Sequence, residues 1–143
     1  MDPLSGAASV ITVVQVAGKV WSLCWEYYSG AGDAKHDIDR LMGCTLALLN
    51  LLQHVRDLAK GSGAAKLVAS KELIESTAFE LEREFKSLQK VLEPGGQDIP
   101  RWCLEWPLQK KDVEKIIQLL ERHKTTLITA MDCGQMYDAD YSL

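Results

Sequence analysis

Between Pro3 and Gly18 the 143-residue chain has no charged side chain, and from Pro3 to Gly32 only Lys19 and Glu26 carry charge. The spacings on which common sites are built are also missing. His36, His54 and His123 stand apart, with no His-x-x-x-His pair and no cysteine at metal-ligand spacing. No Gly-x-Ser-x-Gly occurs, and Asp37-Ile38-Asp39 is an acidic pair without the rest of a calcium loop. Gly61-Ser62-Gly63-Ala64-Ala65-Lys66 lacks the four residues between glycines that a phosphate loop needs, and no strand precedes it. The expectation is therefore no enzyme, no metal and no cofactor. Cys24, Cys44, Cys103 and Cys133 contain no Cys-x-x-Cys, and no basic region precedes the apolar start, so reduced thiols in a cytosolic protein are expected. A basic excess is absent too. Sixteen Lys+Arg against twenty Asp+Glu leave −4, which argues against duplex nucleic acid. Lys35-His36 and Lys110-Lys111 have no interleaved aromatic residues of the kind that bind single strands.

What remains is 47% hydrophobic and 25% charged, the proportions of a globular domain. A chain of this length buries roughly 68–70% of its unfolded surface, enough for one core. Glycines and prolines divide it at Gly30-Ala31-Gly32, Gly61-Ser62-Gly63 and Pro94-Gly95-Gly96, leaving four long segments with no strand alternation. They cover about residues 4–29, 34–60, 66–93 and 108–133. The third is the most regular: Ile74, Ala78, Leu81, Phe85, Leu88 and Leu92 step by four and three, one helical stripe. Ser70 is a candidate N-cap. In the fourth, Val113, Ile117, Leu120, Leu127 and Met131 repeat the pattern, Pro107 suits a first turn and Gly134 suits a helix end. His123, between Leu120 and Leu127, reads as a half-buried structural histidine. The fold class expected is all-α, an antiparallel bundle of four long helices over residues 1–133, with a broken helix and a short extra helix as its variant, and a flexible tail over 134–143. The connection holding Trp102 and Trp106 is expected to pack on the bundle.

The first segment invites a membrane reading. Its sixteen uncharged residues fall short of the roughly 20 that a transmembrane helix needs, and Gln15 and Gly18 weaken it further. A central core helix is the plain reading. The β-branched run Val10-Ile11-Thr12-Val13-Val14 lowers helix propensity, so the segment depends on tertiary contacts. Trp21, Trp25, Tyr27 and Tyr28 are candidates for a self-association surface, with packing against the fourth helix or the Trp102–Trp106 connection as the preferred reading.

Two stretches carry a family resemblance. Met1-Asp2-Pro3-Leu4-Ser5, with Ala8-Ser9-Val10-Ile11 and Val14-Gln15-Val16-Ala17-Gly18-Lys19-Val20, resembles the opening of fungal HeLo-like domains. Trp106-Pro107-Leu108, then Lys110-Lys111-Asp112-Val113-Glu114-Lys115-Ile116-Ile117, resembles that family's Trp-Pro-Phe-x-Lys-Lys helix, with Leu108 in place of the usual Phe. The match spans about residues 1–133, with specific motifs at the two ends only. The resemblance implies an N-terminal domain of fungal NOD-like receptors and related proteins of incompatibility, innate immunity and programmed cell death. It implies a bundle akin to the executioner domain of mixed-lineage-kinase-like proteins. A receptor or an amyloid-templating partner clusters such domains, which then move from cytoplasm to plasma membrane and form pores.

Under that reading Leu4, Val10, Ile11, Val13, Val14, Val16, Ala17 and Val20 meet membrane lipids. Trp102, Trp106, Pro107, Leu108, Val113 and Ile117 are motif and packing residues. The alternative is a non-enzymatic oligomerisation domain that relays activation of a NOD-like receptor to another effector.

Overall fold

The computed structural model describes residues 3–60, 70–93 and 105–141, with side chains over 10–60, 70–93 and 105–132. Four helices make up nearly all of it: α1 (Pro3–Tyr28), α2 (Lys35–Lys60), α3 (Lys71–Leu92) and α4 (Lys110–Tyr141). A 26-residue helix such as α1 is about 39 Å long. Pro3 opens α1, where its fixed φ and missing N–H cost nothing. The end of α1 tightens through Gly30 N–H to Tyr27 C=O and Ala31 N–H to Tyr28 C=O. Gly32 then takes φ +56, a left-handed conformation that suits glycine, and the 3-10 turn Gly32–Ala34 leads the chain back into α2.

Side-chain pairs fix the directions. Arg40 on α2 meets Glu114 on α4, and the Cys44 thiol donates to Glu121 at 3.5 Å, so both pairings advance together and α2 runs parallel to α4. The Ser70 hydroxyl donates to Ala130 C=O at 2.6 Å and His123 faces Glu80, so α3 and α4 are antiparallel. The Tyr27 hydroxyl reaches Leu92 C=O from last turn to last turn, so α1 and α3 are parallel. The bundle is thus all-α as expected and alternates direction along the chain. Its adjacencies differ from a simple meander. α1 packs on α2 and α3, α4 packs on the same two helices, and α1 and α4 stand on a diagonal.

Three local expectations change. Ser70 does precede α3, but its hydroxyl makes no cap bond because it is committed to α4. Pro107 lies three residues before α4 and is exposed; Gln109 instead accepts the first helical bond, from Val113 N–H at 3.1 Å. Gly134 does not end α4, which continues to Tyr141, because a single glycine costs a helix only about 1 kcal/mol and does not stop it.

The whole stripe expected in α3 is buried, from Ile74 to Leu92. It meets Val13, Ala17, Val20 and Tyr27 of α1, Leu41, Leu48 and Leu52 of α2, and Val113, Leu120 and Leu127 of α4 in one core.

Candidate functional site in the amino-terminal helix

The residues assigned to lipid contact separate into two groups. Val10, Val13, Ala17 and Val20 are buried, while Ile11, Val14 and Val16 are half-buried. The side chain of Leu4 lies outside the described residues. α1 is not wrapped on all sides as a central helix would be. Gln15, Lys19, Ser22 and Glu26 form an exposed line at spacings of four, three and four, so α1 occupies a corner with one wet face. Burial of valine side chains, at roughly 1.5–3 kcal/mol each, offsets the weak helix propensity of the β-branched run. The core contacts of this half are shallow, since its buried side chains are valines and one alanine.

The other half of α1 is anchored by Tyr27, only 2% exposed. Its hydroxyl donates to Leu92 C=O at 2.8 Å, in the last turn of α3, where carbonyls have no intrahelical donor. Its ring meets Trp106 edge-on, with centroids 5.3 Å apart and planes at 80°. Trp106 is buried against the bundle, as expected of its connection; Trp102 lies outside the described residues. Val113 is fully buried, and Leu108 and Ile117 are half-buried.

The other aromatic candidates of α1 are Trp21, Trp25 and Tyr28, of which Trp21 and Tyr28 are half-buried against the core. They stack on one another. Trp21 and Trp25 have centroids 6.2 Å apart with planes at 3°, and Trp25 and Tyr28 are 5.9 Å apart at 4°. The Lys35 ammonium lies 5.6 Å from the Tyr28 ring centroid. Trp25 is 59% exposed. Positions 21, 25 and 28 are one helical face by spacing alone, so this ladder could have been read from the sequence.

Burial pushes the Cys24 thiol up to about 12. Burial also pushes Cys44 up to about 11, aided by Glu121, so both thiols stay protonated and are weak nucleophiles near neutrality. Both are free; the side chains of Cys103 and Cys133, which the same expectation covered, lie outside the described residues. His123 is buried in the α3–α4 seam, with Nε2 3.7 Å from Glu80; burial holds its pKa below the usual range. The Arg40 guanidinium holds the Glu114 carboxyl below the ordinary carboxylate range through a two-pronged contact. Among the described residues no group of three or more His, Cys, Asp and Glu side chains could hold a metal ion. Among the same residues no helix is long and apolar enough to cross a membrane.

No family model, curated protein or solved structure matches this chain.

Proposed function

We propose that the chain is a HeLo-like cell-death domain that clusters on activation and acts on the plasma membrane through α1. The observation that carries this reading is the make-up of α1. Its first sixteen residues are uncharged, and its amino-terminal half rests on the bundle through small side chains, Val10, Val13, Ala17 and Val20, while Leu23 and Tyr27 anchor the other half. Small contacts cost less to break than the leucine and phenylalanine contacts of α3, since stabilisation scales with apolar area removed from water. α1 shares no broad seam with α4, so its departure spares the contacts of α4, but its own seams with α2 and α3 are the broadest in the bundle and clustering has to supply the energy of opening them. The resemblance at Pro3 to Val20 and at Trp106 to Ile117 supports the same reading.

The burial of Val13 and Ala17 has a consequence for mechanism. In the resting bundle these residues face the core, so insertion requires α1 to leave it. Clustering supplies neighbours for polar residues such as Thr12 and Gln15, which a lone helix would leave facing lipid. The test is dye release from vesicles by the chain clustered through a fused oligomerising tag. Val14 is half-buried and packs on the core, so Val14→Asp costs the bundle less than Val10→Asp, and deletion of residues 1–5 is the gentler probe. Both Val14→Asp and the deletion are expected to abolish release, the deletion with melting nearly unchanged. Clustered protein that neither binds nor permeabilises vesicles would overturn the reading and leave the relay domain in its place.

A further inference from the structure

We propose that the resting bundle has a second lipid-directed surface, the outer face of the α1–α2 hairpin, which meets the lipid–water interface through Trp25 and Leu46 before any helix moves. This rests on the membrane reading above but places first contact elsewhere.

The register of the two helices comes from Lys35, whose ammonium sits over the Tyr28 ring. Leu46 follows Lys35 by eleven residues, three turns with a residual rotation of about 20°, so it lies on the same side of α2 as Lys35. In an antiparallel pair it stands level with a residue eleven before Tyr28, beside Gly18. At Gly18 nothing lies within 4 Å of where a Cβ would be. Leu46 is 46% exposed and Trp25 59%. The exposed apolar side chains of α1 and α2 thus gather on one face, level with Gly18 and along the Trp21–Trp25–Tyr28 ladder.

The make-up of this face selects its occupant. Residues 3–18 of α1 and 41–53 of α2 carry no charge. The exposed charges of α1 and α2 between Gly18 and Leu46, namely Lys19, Glu26, Lys35 and Asp39, are two of each sign. A charged partner has little to grip there. Neither stretch is long enough to span a bilayer, yet stacked Trp and Tyr rings suit the headgroup boundary, where an apolar body and a polar edge are both satisfied. Lys35 closes the ladder with a long stem and a charged tip, a side chain that can lie along apolar surface and still reach water.

The test is co-sedimentation of the unclustered full chain with phosphatidylcholine vesicles, with and without phosphatidylserine. Wild type is expected to bind both without dye release. The double substitution Trp25→Ser with Leu46→Ser is expected to weaken partitioning at least ten-fold, about 1.4 kcal/mol, with melting unchanged because both side chains are exposed. Phe79→Ser on α3 is the control: Phe79 is as exposed as Trp25, at 59%, but lies on another helix, so binding stays at the wild-type level.

Four outcomes overturn the proposal. They are no binding by wild type, an equal loss from Phe79→Ser, binding that needs phosphatidylserine, and a dimer in solution that the double substitution splits. The last assigns the face to a second copy of the chain. None of these bears on dye release by the clustered chain, so the two proposals fail separately.

Discussion

α1 and α3 lie side by side and point the same way, yet they are helices for different reasons. α3 has local support throughout. Its apolar stripe keeps helical spacing over five turns, and Glu82 pairs with Lys86 at 2.7 Å one turn on. α1 has a β-branched run, no acidic residue in its first turn and no basic residue in its last. Its helicity is borrowed from α2 and α3. A helix held by its neighbours is one that can change state when they change, whereas a self-supporting helix stays a helix wherever it goes. Under the proposed function α3 is scaffold and α1 is the part that has to move.

The strongest way to break the comparison is a charge where α1 meets its neighbours. Val13→Asp places a carboxylate at a fully buried site with no cation designed for it, at a cost of about 3–5 kcal/mol. Hydrogen exchange should then show the amides of residues 10–20 losing protection well before those of 74–88. If α3 loses protection together with α1, the two helices form one cooperative unit and α1 is not separately movable. Tyr27→Phe acts on the anchored half instead. It removes the hydroxyl bond to Leu92 C=O and keeps the buried ring, at about 1 kcal/mol. The expected result is a modest fall in melting temperature, with exchange rising at residues 23–28 and unchanged at 10–17.

Legibility in the sequence follows the same division. All six residues of the α3 stripe could be read because each obeys local spacing and each is buried. The core half of α1 was partly legible, since an uncharged valine-rich stretch says that it is buried somewhere and not on what. Its place at a corner, diagonal to α4, depends on pairings such as Arg40 with Glu114 and Ser70 with Ala130, which join residues 60 or more positions apart. No local pattern carries that information. Ser70 shows the same limit in one residue. Its position before α3 was correct and its role was not, because a tertiary acceptor outcompeted the helix N-terminus for its hydroxyl. The ladder of Trp21, Trp25 and Tyr28 was legible by spacing, but the exposure of Trp25 runs against the general preference of tryptophan for burial.

The smaller predictions concern the seam between scaffold helices. His123 has its folded pKa lowered by burial and by Arg122, against the opposing pull of Glu80 and Glu84. The unfolded chain titrates near about 6.5. The stability that the neutral ring contributes is therefore complete above that value and is lost as pH falls through it towards the lower folded pKa. His123→Gln should make the melting temperature fall less between pH 7.5 and pH 5.5 than in wild type. The difference should be small, because the two glutamates oppose burial.

Smallest of all is Glu82→Gln. Lys86 is more than half exposed, and the pair is worth about 0.2–0.5 kcal/mol at low salt. In the intact bundle such a loss is close to the limit of a melting experiment. In an isolated peptide of residues 71–92 it should appear as lower helicity by circular dichroism at low salt, and vanish at 1 M salt. The corresponding peptide of residues 3–28 should show little helix under the same conditions. If it is as helical as 71–92, then α1 holds its own shape, and its dependence on α2 and α3 would lie in burial alone.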